Sequence, residues 1–204
     1  ELHAAVMAAE DAGTYVMVHV YVPEAIRRAI RAGVKSIEHG QLIDEPTMKL
    51  IAEKGVWLSM QPFIGEGNNH YTNPVQQAKH ELVVQGTDRA YQLAKKYGVK
   101  LAWGTDLLFS PANARNQNLN IEKMTRWFSN FEILKMITHD NAELLALSGR
   151  RNPYPGKLGV IEEGALADLI VVDGNALEDI KVLTDPGKNM LLIMKDGKIY
   201  KNDL

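Results

Sequence analysis

The chain has 204 residues, 46% hydrophobic and 24% charged, with a formal net charge of −2 and no cysteine. Near-neutral, mixed charge gives no electrostatic reason to expect nucleic acid or an anionic membrane as a partner. Lack of cysteine excludes disulfides, thiolate metal ligands and a cysteine nucleophile, and no apolar run approaches the roughly 20 residues of a spanning helix, so a soluble globular chain is expected.

The first residues, "ELHAAVMAAEDAG", already follow a helical pattern, with Leu2, Val6 and Ala9 on one side. The chain starts without methionine, so Glu1 is read as lying inside a longer protein. A signal peptide further upstream, and with it the choice between cytoplasm and periplasm, stays open.

Four times a helical pattern ends in glycine and runs into an apolar or β-branched stretch: at Gly13, Gly33, Gly55 and Gly98. Glycine suits the left-handed position just past a helix end. Pro23 and Pro46 open the helices before the second and third of these glycines, as proline favours a first turn. The stretches that follow, "TYVMVH", "VKSIEH", "VWLSMQ" and "VKLAWGTD", read as short parallel strands covered on both faces. Strand and helix in alternation mean βαβ units and an α/β fold. The repeat by itself fits either an open sheet or a closed barrel.

After the last of these strands, Ile121 to Leu147 alternates at helical spacing and is expected to form one or two packing helices. Asn, Pro and Gly cluster between Arg151 and Pro155. Beyond them "KDGK" sits between apolar runs, and Asp-Gly suits a two-residue type I′ turn. The reading is therefore α/β for residues 1–152 and a small antiparallel β module for 153–204.

In parallel α/β folds the carboxyl ends of the strands carry the chemistry. His19 and His39 stand at such ends one βα unit apart, and Asp106 of "WGTD" follows the last parallel strand. Two imidazoles and a carboxylate suit a divalent ion such as zinc, and an aspartate beside an activated water can move its proton. A lone strand-end histidine is commonly just a polar side chain, so the case rests on the register of the two. Glu38 is expected on the opposite side of its strand from His39, as a support or a structural ion-pair member.

The stretch from Gln61 to Glu81, rich in Gly and Asn, is a candidate substrate lid, with His70 the better placed of its two histidines to meet substrate and His80 the lesser. Arg115 is a candidate carboxylate ligand. His3 and His139 are expected to be structural, and Asp140 to cap a helix.

"HVYVPEAIRRAIRAGVKSIEHGQLIDEPTMKLIAEKGV", "WGTD" and "KLGVIEEGALADLIVVDG" together resemble the amidohydrolase superfamily, with the nearest likeness to prolidase-like Xaa-Pro dipeptidases and to imidazolonepropionase-related members. The resemblance runs over essentially the whole chain. It implies the C-terminal half of a (β/α)8 TIM barrel, its strands five to eight, plus part of a small β-sandwich. It implies one or two divalent metals, zinc or another, with His19, His39 and Asp106 as ligands and Asp106 also as the catalytic proton shuttle. It places Tyr21 toward a substrate carboxylate. The family's His-x-His pair on the first strand and its metal-bridging lysine on the fourth are not in this sequence, so the chain is expected to be a fragment whose partner is the missing N-terminal half. On this resemblance the parent enzyme hydrolyses an Xaa-Pro dipeptide or related N-acyl amino acid, works as a homo-oligomer, and the fragment alone is inactive. A cyclic-amide hydrolase and a non-catalytic scaffold are the alternatives.

Overall fold

A computed structural model describes residues 1–65, 71–107 and 114–204. The chain divides into two compact units, Glu1–Gly104 with Leu147–Arg151, and Thr105–Ala146 with Asn152–Leu204.

The first unit alternates helix and strand: α1 (Leu2–Asp11), β1 (Met17–Val20), α2 (Pro23–Ala32), β2 (Ser36–His39), α3 (Glu45–Lys54), β3 (Trp57–Met60), α4 (Pro74–Tyr97) and β4 (Leu101–Trp103). The strands form one parallel sheet in the order β1-β2-β3-β4, each pairing with the next in the chain. Helix ends fall where the sequence marks them. Pro23 opens α2, the Asp44 carboxylate accepts the Thr47 N–H at the start of α3, and Gly33, Gly55 and Gly98 take left-handed backbone at the ends.

Ile26, Ala29 and Ile30 lie along one stripe of α2, and Thr47, Met48 and Ile51 along one stripe of α3. Ile26, Ile37 and Leu58 are all fully buried. They converge around Gly40, where a Cβ would come within 2.8 Å of Leu58, so a side chain in the turn after β2 would have to displace Leu58. Burial of such residues supplies roughly 1.5–3 kcal/mol each relative to exposure. The Arg27 guanidinium donates to Asp44 at 3.2 Å and ties α2 to the cap of α3.

Helix α4 begins inside the stretch read as a lid. Asn73 accepts the Val75 N–H and Pro74 fills the first turn, so Pro74 to Glu81 is helix and His80 rides on it against Tyr71, ring centroids 5.4 Å apart. That half of the stretch is therefore helix rather than loop: an Asn-Pro pair ahead of a helical pattern is a helix start. His70 and Gly67 to Asn69 lie outside the described residues.

In the second unit α5 (Leu119–Lys123), α6 (Asn130–Lys135) and α7 (Asn141–Ala146) form two helical blocks. Ser129 and Glu132 make a reciprocal capping box at the start of α6. A π-helical turn, Met136–Asp140, joins α6 to α7 without a break. Asp140 therefore does not cap a helix, contrary to expectation. Its carboxylate takes Lys135 and, at 2.9 Å, His139. Asn118 and Asn130 donate to the carbonyls of Leu183 and Leu177, which fastens both helical blocks to the segment around residues 177–183.

The same unit carries an antiparallel sheet, β5 (Leu169–Val172), β6 (Met190–Lys195) and β7 (Lys198–Asn202), in that order, with the short α8 (Pro186–Asn189) before β6. Asp196 and Gly197 join β6 to β7 with φ of 51° and 72°, the left-handed pair a type I′ turn requires. Among the described residues no helix is long and apolar enough to cross a membrane.

Candidate functional site

The site starts from strand register. His19 stands opposite Glu38, and Val20 opposite His39, in the β1–β2 ladder. Paired positions of parallel strands share a face and successive positions alternate, so His19 and His39 belong to opposite faces. Yet His39 Nε2 lies 2.7 Å from His19 Nδ1. The backbone reconciles the two facts. His39 has φ of 82°, a conformation that side-chain-bearing residues rarely adopt, and it turns the imidazole across the rim to its neighbour.

Around this pair the packing is aromatic. Tyr21 stacks on His39 with centroids 4.7 Å apart and planes inclined by 12°, and His19 meets both rings edge-on. His39 is 4% exposed whereas His19 is open to solvent, so one imidazole is anchored and the other is presented. The second nitrogen of His39, Nδ1, lies 2.7 Å from the Gln61 amide oxygen. Gln61, 5% exposed, follows β3 directly, and its amide nitrogen lies 3.7 Å from the position a Cβ on Gly104 would take, just past β4.

The amide oxygen can only accept, so this contact is a hydrogen bond when His39 carries its proton on Nδ1, and the Nε2 lone pair of His39 would then face His19 Nδ1. Two nitrogens each about 2.0–2.1 Å from one tetrahedral ion lie about 3.3 Å apart, so the pair would open by roughly half an ångström to share one. The donor set fits a divalent ion as part of a shell. Among the described residues no cluster of three or more His, Cys, Asp or Glu converges.

Glu38 is where alternation puts it, on the face away from Ile37. It accepts from the Ser36 hydroxyl at 2.6 Å. Burial, with the Glu38 charge second, raises the Tyr15 hydroxyl above its usual range. Asp106 and Arg115 belong to the second unit. Asp106 follows β4 by three residues, is exposed and has φ of 51°; Arg115 is exposed in a turn ahead of α5. His3 is exposed on α1. Gln61 carries no signal of type or spacing; what marks it is that it ends the "VWLSMQ" stretch, at the same rim as the two histidines.

A model of the Amidohydrolase family matches residues 1–200. Ochratoxinase of Aspergillus niger is 33% identical over 205 residues, covering 98% of this chain and 41% of that protein. Its crystal structure superposes with a TM-score of 0.82 at 30% identity, over 99% of this chain and 45% of that one. A prolidase complexed with N-methylphosphonate-L-proline gives a TM-score of 0.85 at 35% identity, over 99% of this chain and 48% of that one. A Xaa-Pro dipeptidase with bound methionine in its active site gives 0.82 at 32%, with 99% and 48% covered. The chain thus spans less than half the length of these relatives. Its parallel βα units and separate antiparallel sheet are those of the TIM-barrel proteins it matches.

Proposed function

We propose, since the chain belongs to the amidohydrolase family, that the whole protein hydrolyses a C–N amide bond, in an Xaa-Pro dipeptide or a related N-acyl amino acid. The observation that carries this reading is the 2.7 Å approach of His19 and His39 at the ends of adjacent parallel strands, reached through a left-handed His39 backbone. Relatives named as a prolidase, a Xaa-Pro dipeptidase and an ochratoxinase support a substrate with an amide-type bond.

In this reading His19 and His39 hold a divalent ion, zinc being the expectation, with Asp106 as a further ligand and the remaining donors in the part of the protein outside this chain. An ion bound there supplies an acidified water and a Lewis acid for the scissile carbonyl. Asp106 accepts the proton of the attacking water and returns one to the leaving nitrogen. The Tyr21 hydroxyl and Arg115 orient the substrate carboxylate, and His70, outside the described residues, is a further candidate to touch the substrate. Residues 1–152 then belong to the barrel and 153–204 to the small β-sandwich, with the upstream half and further copies of the chain as partners.

Asp106→Asn in the full-length enzyme tests the reading. Asparagine accepts left-handed backbone, so charge is removed without new strain at φ of 51°. Turnover of proline dipeptides is expected to vanish while the circular dichroism spectrum stays unchanged. Retained turnover would remove Asp106 from the mechanism, and preference for a cyclic imide over the dipeptides would move the substrate to the imidazolonepropionase type. A divalent metal, zinc being the expectation, should be found by elemental analysis of the full-length enzyme, and absence of any such metal would sink the metal site.

A further inference from the structure

We infer that Gln61 is a positioning residue, whose amide oxygen fixes His39 as the Nδ1–H tautomer and so presents the Nε2 lone pair to the ion proposed above. The inference rests on that metal reading but stands on separate geometry. Gln61 Oε1 is 2.7 Å from His39 Nδ1, and both side chains are buried, at 5% and 4% exposure. A buried acceptor this close leaves the ring one orientation in which both nitrogens are satisfied, Nδ1 toward Gln61 and Nε2 toward His19 at 2.7 Å.

The backbone makes such a brace necessary. With φ of 82° and Gly40 following at 75°, the end of β2 lacks regular strand geometry to hold the imidazole, and alternation alone would point it away from His19. Tyr21 stacks flat on the ring and limits its tilt, but stacking does not choose which nitrogen carries the proton. Only a hydrogen bond does that, and such outer partners of ligating histidines typically contribute 10–100-fold in metal affinity.

The test uses the full-length protein, freed of metal and labelled with 15N-histidine. Long-range proton–nitrogen correlation spectra distinguish the two tautomers. His39 is expected as Nδ1–H in the unchanged chain, to lose that preference in Gln61→Leu, and to keep it in Gln61→Glu, whose carboxylate still accepts. Zinc titration followed by calorimetry is expected to give binding at least about tenfold weaker for the leucine variant than for the glutamate one. An Nε2–H tautomer at His39 in the unchanged chain overturns the inference, whether or not the leucine variant folds. So does a leucine variant with the same tautomer and zinc affinity as the parent. Should the unchanged full-length protein bind no zinc, the metal reading fails, while the tautomer still decides on Gln61.

Discussion

His39 and Val20 stand side by side in the ladder, and His39 nonetheless reaches past Val20 to touch His19, because its own φ is 82°. The hydrogen bonds to His19 and Gln61 offset the backbone cost. Removing the imidazole should expose that cost. His39→Ala and His39→Gly lose the same contacts, but only glycine takes left-handed backbone freely. The glycine variant is expected to be more stable than the alanine variant by about 1 kcal/mol in urea unfolding, the reverse of the usual order. Equal stabilities would mean that the strand end relaxes once the imidazole is gone.

Gly86 offers a second reversal. It sits inside α4, where helix propensity alone predicts that alanine would gain about 1 kcal/mol. A Cβ at Gly86, however, would lie 2.3 Å from the Gln41 carbonyl oxygen, two residues past His39. Backbone cannot yield as a flexible side chain does. Gly86→Ala is expected to destabilise the chain by about 1–3 kcal/mol and to loosen the loop that follows the histidine. A higher melting temperature in this variant would show that α4 and the loop do not pack as closely as described.

Glu45 predicts a pH dependence. The Lys96 ammonium at 2.7 Å, the Tyr97 hydroxyl and the Lys96 charge hold its carboxyl at about 2, below the ordinary 4.5. A carboxyl depressed in the folded state stabilises the fold above the unfolded value, and the contribution fades as pH falls from about 4.5 to about 2. Glu45→Gln should therefore lower stability at pH 7 and make little difference near pH 2. The group is exposed, so the effect at pH 7 should be small and weaken with salt. A difference unchanged between pH 7 and pH 2 would assign it to something other than the charge.

Much of this arrangement is legible in the sequence, and the limits are physical. The glycine stops, Pro23, Pro46 and the Asp-Gly turn are local backbone chemistry, which a sequence states directly. The strand-end placement of His19 and His39 follows from the βα repeat. What the repeat does not state is the direction of His39, because alternation sets it on the wrong face and only its left-handed φ corrects this. Gln61 and Gly86 act through tertiary contacts 22 residues and more from their partners, at His39 and Gln41. Pro74 marks the start of α4 locally, next to glycines and asparagines whose composition alone reads as loop.

Tyr21 brings two separable properties to the site, a ring and a hydroxyl. The ring stacks on His39 at 4.7 Å, while the hydroxyl is the group proposed to meet a substrate carboxylate. Tyr21→Phe keeps the stack and removes the hydroxyl, so in the full-length enzyme KM for a proline dipeptide should rise while zinc content is unchanged. Tyr21→Ala removes both, and with the flat face of His39 uncovered, zinc affinity should fall as well. Stacked aromatic pairs contribute about 0.5–1.5 kcal/mol beyond area burial, so the expected loss of zinc affinity is on the order of two- to tenfold. Equal zinc affinity in both variants would confine Tyr21 to substrate binding, and an unchanged KM in the phenylalanine variant would confine it to holding His39.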